Sequence, residues 1–171
     1  MKEKISSTPS LGDDIFKLFK ELREKKSNEW NRVLPLNELL TDRWEKAQFL
    51  KAKTGSSIYD NSYVFGDVKI GKSTWIGPYT ILDGSGAKLS IGNFCSISAG
   101  VQIYTHNTVD WALTGGKSKY KNDKVKIGSC CYIGPNSIIS MGSIIGSHCI
   151  IGAKSMINGK VPSNSVVFGT P

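Results

Sequence analysis

Two histidines occur among the 171 residues, in different settings. His106 lies in the run Val101–Thr108, VQIYTHNT, where a regular pattern of the chain breaks off. His148 lies inside that pattern. An imidazole titrates near neutrality, so it can take the proton of a poor nucleophile such as a hydroxyl and return it to a leaving group. Function gathers where a loop leaves a rigid scaffold. His106 is therefore the candidate general base, and His148 is read as a surface residue. The four cysteines, Cys95, Cys130, Cys131 and Cys149, contain no C-x-x-C pair, so neither a disulfide framework nor a zinc–cysteine site is expected. Two histidines are too few for a three-histidine zinc site, and no metal is expected. Lys117, Lys119, Lys121, Lys124 and Lys126 crowd the stretch after His106. They form either a solvated loop or a surface for a small polyanion such as a nucleotide-bearing cofactor.

The pattern that His106 interrupts has a period of six. Aliphatic residues stand at Ile58, Val64, Ile70, Ile76 and Leu82, then, after a three-residue slip at Ser85–Ala87, at Ile91, Ile97 and Ile103. The series returns at Ile127, Ile133, Ile139, Ile145, Ile151 and Ile157. The fifth place of each hexad holds Ser, Thr, Val or Cys except at Gly86 and Asn107, and Cys95, Cys131 and Cys149 all fall there as small buried thiols. The second place holds Gly71, Gly77, Gly92, Gly128, Gly134, Gly146 and Gly152. Repetition of this kind implies stacked supersecondary units. The reading is a mainly β fold, a parallel β-solenoid of triangular section. Each hexad gives one short strand and one corner, and the 14 hexads give four to five coils. The second-place glycines are expected to relieve corners of unusual φ/ψ.

Residues 1–55 precede the solenoid as a short α-helical segment, and residues 56–171 form the β-helix domain with an extruded loop at about 104–126. Asp13 and Asp14 suit a helix N-terminus. Ile15, Leu18, Phe19 and Leu22 follow at helical spacing. A second helix is expected to start near Pro35, to carry Leu36, Leu39, Leu40, Trp44 and Ala47 on its apolar face, and to stop at Gly55. Two such helices cannot bury a core alone and must pack on the rest of the chain or on another subunit.

The formal net charge is +8, but no Lys/Arg run reaches the length of a nucleic-acid-binding tail. No apolar stretch is long enough for a transmembrane helix. Met1–Ser10 lacks the apolar region of a secretory signal, so a cytoplasmic location is expected. With 39% hydrophobic and 21% charged residues the chain is globular.

From Ile58 to Pro171 the sequence resembles the hexapeptide-repeat acyltransferases, in particular small bacterial sugar acetyltransferases. The resemblance is carried by the run Val125–Gly142 (VKIGSCCYIGPNSIISMG), by Ile150–Ile157 (IIGAKSMI), by Val161-Pro162 and by the closing Gly169-Thr170-Pro171. It implies a left-handed parallel β-helix, usually a homotrimer, and direct transfer from acetyl-coenzyme A in a ternary complex. His106 matches the catalytic base at the loop junction. Asp83 matches an acceptor-binding carboxylate, although a turn residue before Gly84 reads equally well. Asn107 stands where relatives often have Asp, so either it contacts the acceptor or the imidazole is oriented by another group. Trp111 in the loop either stacks on a sugar ring or anchors the loop itself. Tyr132, Gly142, Ala153 and Lys160 match the coenzyme groove, with Gly142 as the candidate oxyanion donor. The cation at Lys160 is displaced by one residue from the family position.

The implied activity is acetylation of a hydroxyl on a surface-polysaccharide sugar or its precursor. N-acetylation of a nucleotide-linked amino sugar is the alternative. A non-catalytic structural or binding solenoid is the reading from a different class; the varied outward positions and the long loop speak against it. A nucleotidyltransferase fusion would need a further α/β domain, and a serine acetyltransferase a longer helical one.

Overall fold

The computed structural model describes residues 10–170. The secretory-signal reading of residues 1–9 and the closing Pro171 lie outside them. Two compact units divide the chain between Thr41 and Asp42.

The first unit holds helices α1 (Leu11–Trp30) and α2 (Leu36–Leu40). Ser10 caps α1 and accepts from the Asp13 backbone, while the Asp13 carboxylate reaches back to the Ser10 N–H and hydroxyl. This reciprocal capping box holds the Asp13 carboxyl below its ordinary range. Asn31 ends α1 in the left-handed conformation, φ 50°. The single helix expected from Pro35 to Gly55 is two. Thr41 is extended, and Asp42 starts α3 (Arg43–Phe49) by accepting from the N–H groups of Trp44 and Glu45 at 2.7 and 3.2 Å. The stop is Leu50 followed by Lys51 at φ 56°, not Gly55.

The second unit holds α3 and the solenoid, a left-handed parallel β-helix. Three stacks of parallel strands make three faces. Ile58, Ile76, Ile97, Ile133, Ile151 and Val167 point inward on the first. Val64, Leu82, Ile103, Ile139 and Ile157 do so on the second. Ile70, Ile91, Ile127, Ile145 and Val161 do so on the third. Most of these aliphatic side chains are fully buried and stack coil on coil as one continuous core.

The first face has six strands, so the solenoid has six coils rather than four to five. The last coil escaped the period because it is shorter. Equivalent residues are 18 apart in regular coils, 21 apart across the slip, 36 apart across the loop and 16 apart at the end. Val161, read as a fifth-place residue, therefore takes an inward leading place opposite Ile145.

Small fifth-place residues have a specific task. Ser56, Ser62, Thr74 and Ser137 each donate a hydroxyl to the second-place carbonyl of the next coil. Cys95, Cys131 and Cys149 donate thiols in the same way, to Gly128, Gly146 and Pro162 at 3.1 Å. Contact with Cys95 and then burial push the Cys131 thiol up, which keeps it an uncharged donor.

The second-place glycines serve a different purpose from the one expected. Positive φ falls on the fourth place, filled by Ser73, Tyr79, Phe94, Cys130, Asn136, His148 and Lys154 as well as Gly100 and Gly142. The second-place glycines answer close approach instead. A Cβ on Gly128 would stand 2.6 Å from the Gly146 carbonyl carbon of the next coil. Among the described residues no helix is long and apolar enough to cross a membrane.

Candidate active site

The three-residue slip and the loop meet at one corner. Strand Ile81–Ile91 runs over the edge between the second and third faces, and Ser85–Ala87 are its extra residues against strand Tyr63–Ile70. Asp83 stands just before this bulge, in register with Tyr104 of the next coil. Its carbonyl accepts from the Thr105 N–H and hydroxyl at 3.1 and 2.8 Å. The Thr105 hydroxyl oxygen also accepts from the Ala87 N–H at 3.1 Å. The bulge is thus pinned to the strand that delivers His106.

His106 follows directly. Its Nδ1 lies 3.6 Å from Asp83 Oδ2, with side chains 28% and 11% exposed respectively. Asp83 Oδ1 accepts from the Ser85 N–H at 2.9 Å and from the Ser85 hydroxyl. The Nδ1 atom is buried and has no hydrogen-bond partner among the described residues. Gly86 makes this approach possible, because a Cβ there would stand 2.5 Å from the Cβ of His106. Burial and then the Asp83 charge push the Tyr104 phenol up, so it stays neutral while it donates to Gln102 Oε1 at 2.8 Å.

The loop is a built element. His106–Asn107 pairs antiparallel with Lys121–Asn122 and closes it as a hairpin around helix α4 (Val109–Leu113). The Asn107 side-chain Oδ1 accepts from the Val109 N–H at 3.2 Å, and its side-chain Nδ2 lies 3.5 Å from the Met141 sulfur. Asn107 so ties the loop to a later coil. Trp111 sits edge-on to Tyr120 with centroids 5.8 Å apart, which anchors the loop, yet the residue is still 43% exposed. Lys121 pairs with Asp110 at 2.7 Å. Lys117, Lys119, Lys124 and Lys126 are exposed.

The structure thus brings together Asp83, His106 and Asn107, and Asn107 touches Met141, the residue before Gly142. Gly142 has φ 77°, and the Asp123 carboxylate lies beside it. The other expected groove residues are spread around the solenoid. Tyr132 points outward on the first face, Ala153 lies at the corner after that face, and Lys160 points outward on the third. Ser85, Gly86, Thr105, Met141 and Asp123 were not singled out by sequence reasoning. The slip was the signal for Ser85 and Gly86, because extra residues in a regular coil must bulge somewhere; Met141 and Asp123 lie outside it. His148 is exposed at an ordinary fourth-place corner, as expected.

Residues 124–159 match the family model described as bacterial transferase hexapeptide, six repeats. No curated protein matches the chain. Solved structures share the fold. AntD, an N-acyltransferase from Bacillus cereus crystallised as a point mutant with dTDP and coenzyme A, is 22% identical with TM-score 0.62, over 74% of this chain and 84% of that one. A hexapeptide-repeat acetyltransferase from Vibrio cholerae in complex with acetyl-coenzyme A is 22% identical with TM-score 0.59, over 95% and 87%. A maltose O-acetyltransferase from Clostridium difficile is 25% identical with TM-score 0.58, over 90% and 84%. The resemblance read from the sequence therefore holds: the chain carries the hexapeptide repeat, and the solved structures named here that share its fold are acyl- and acetyltransferases.

Proposed function

We propose that this chain transfers an acetyl group from acetyl-coenzyme A to a hydroxyl of a sugar, either a surface-polysaccharide sugar or its precursor. The observation that carries the reading is His106. One edge of its ring faces Asp83, at the place where the hexapeptide solenoid opens into a structured loop. Fold likeness to the maltose O-acetyltransferase and to the acetyl-coenzyme A complex from Vibrio cholerae supports it.

In this mechanism Nε2 of His106 accepts the acceptor's proton as the oxygen attacks the thioester carbonyl. The tetrahedral intermediate collapses with cleavage of the C–S bond, and the proton passes from His106 to the departing thiolate. Gly142 is the proposed backbone donor to the oxyanion. Asn107 and the exposed ring of Trp111 border the acceptor. Tyr132 and Ala153 lie away from Gly142 and Lys160 on one chain. A coenzyme groove that uses all four therefore runs between copies, in a homotrimer.

N-acetylation of a nucleotide-linked amino sugar is the second reading. The likeness to AntD, crystallised with dTDP, favours it. A panel of sugars and amino-sugar nucleotides with acetyl-coenzyme A, read by thiol release, separates the two. His106→Ala is expected to lose most transfer, about 10²-fold or more, while the fold is kept. Full activity in that variant would remove the base assignment. Absence of coenzyme A binding by calorimetry up to millimolar concentration would favour a non-catalytic solenoid.

A further inference from the structure

We infer that Asp83 is the positioning residue of His106 and that Ser85 fixes Asp83 for that task. The inference rests on His106 being the base. A base that works through Nε2 must carry its hydrogen on Nδ1. In this structure Nδ1 is buried and lacks a hydrogen-bond partner among the described residues, while the Asp83 carboxylate faces it at 3.6 Å. A buried unpaired N–H costs free energy until it finds an acceptor. Catalytic hydrogen bonds are often long in the empty enzyme and shorten in the reacting complex. Closing this one gives an Nδ1–H donating to Oδ2, which stabilises the imidazolium that forms as the proton arrives.

The rest of the corner shows which atom of Asp83 is free for this. Oδ1 is already held by the Ser85 N–H and hydroxyl. The Asp83 carbonyl is held by Thr105, the residue just before His106. Only Oδ2 is left to face the imidazole. Ser85 exists at this point because the coil carries three extra residues, and Gly86 of the same bulge lets the two backbones close up. The slip in the hexad period is thus the element that builds the pair. A carboxylate clamped in this way has little freedom to follow a sugar hydroxyl, which sets this role apart from acceptor binding.

The test reads the imidazole directly and needs no turnover. In protein labelled with [15N]histidine and carrying His148→Gln, one imidazole remains. The neutral form is expected to be the Nδ1–H tautomer. Asp83→Asn, whose amide can donate to Nδ1, is expected to move it to Nε2–H. Ser85→Ala should give a mixture, and Ser85→Thr should restore the wild-type state. In turnover, Asp83→Asn should lower kcat by about 10²-fold, less than the ~10⁴-fold of a fully bonded Asp–His pair, and leave the acceptor KM unchanged. An Nε2–H tautomer in wild type, or a tautomer indifferent to Asp83→Asn, overturns the inference. So does a raised acceptor KM with kcat intact, which would give Asp83 to the acceptor. If wild type transfers no acetyl group, the proposed function fails, and the tautomer still decides the pairing.

Discussion

At the scale of residues, the corner at His106 depends on a side chain that is missing. Gly86 has no positive φ to explain it; its place is fixed by the 2.5 Å that would separate a Cβ from that of His106. Backbone crowds the other side, with the Thr105 carbonyl oxygen 3.0 Å away. Gly86→Ala must therefore push the imidazole off Asp83. A misplacement of about 1 Å can cost roughly 10²-fold in rate. The expected result is a large fall in kcat in thiol-release assays, with a thermal unfolding midpoint lowered by only a few degrees. An active Gly86→Ala enzyme would show that this contact does not set the base. The cysteines teach the opposite lesson. Cys95, Cys131 and Cys149 look reactive by type, yet each spends its thiol on the next coil's carbonyl. Serine does the same at equivalent corners, so Cys131→Ser should fold normally, as read by circular dichroism.

At the scale of elements, the repeat separates two demands that sequence reading merged. Second-place glycines meet close approach, and fourth-place residues bear the left-handed backbone. Gly128→Ala should cost about 1–3 kcal/mol, because the new Cβ would stand 2.6 Å from two backbone atoms, the Gly146 carbonyl carbon and the Ser147 nitrogen, which cannot rotate away. His148→Gly should change stability by less than about 1 kcal/mol, since relief of the left-handed strain offsets the added freedom of the unfolded chain. Urea unfolding of both variants checks the contrast, and equal losses would refute it. The fold was legible because inward Ile, Leu and Val repeat with the coil, and every shift of register seen within the series had a visible cause in Ser85–Ala87 or the loop. The short final coil was not legible, since Val161 and Val167 keep a spacing of six after losing phase with Ile157. The break between α2 and α3 falls at Asp42, a good N-cap, but is masked in the sequence. The apolar pattern runs straight across it, and a periodicity argument favours one helix over two. Asp42→Ala should cost about 1 kcal/mol.

At the scale of the whole molecule, outward columns of the solenoid carry what a single chain leaves exposed. On the first face Ile150 stands between Tyr132 and Val166, and it is 47% exposed. On the second, Ile138 stands between Gln102 and Met156, and it is 36% exposed. On the third face the column runs Lys69, Ser90, Lys126, Ile144 and Lys160, so lysines alternate with other residues. Two faces that are apolar in the late coils, beside a third interrupted by lysines, suit closed association through the first two. They also explain why the expected coenzyme residues divide between faces of one chain. In the homotrimer proposed above, sedimentation of the wild type should give three times 18.7 kDa. Ile138→Asp with Ile150→Asp should reduce it to the single-chain mass. Coenzyme A affinity should fall with it, because Tyr132 and Ala153 of one copy would no longer face Gly142 and Lys160 of another. The His106 tautomer should stay as it was, because every group that sets it belongs to the same chain. A monomeric wild type that binds coenzyme A would place the whole groove on one copy and remove the shared site.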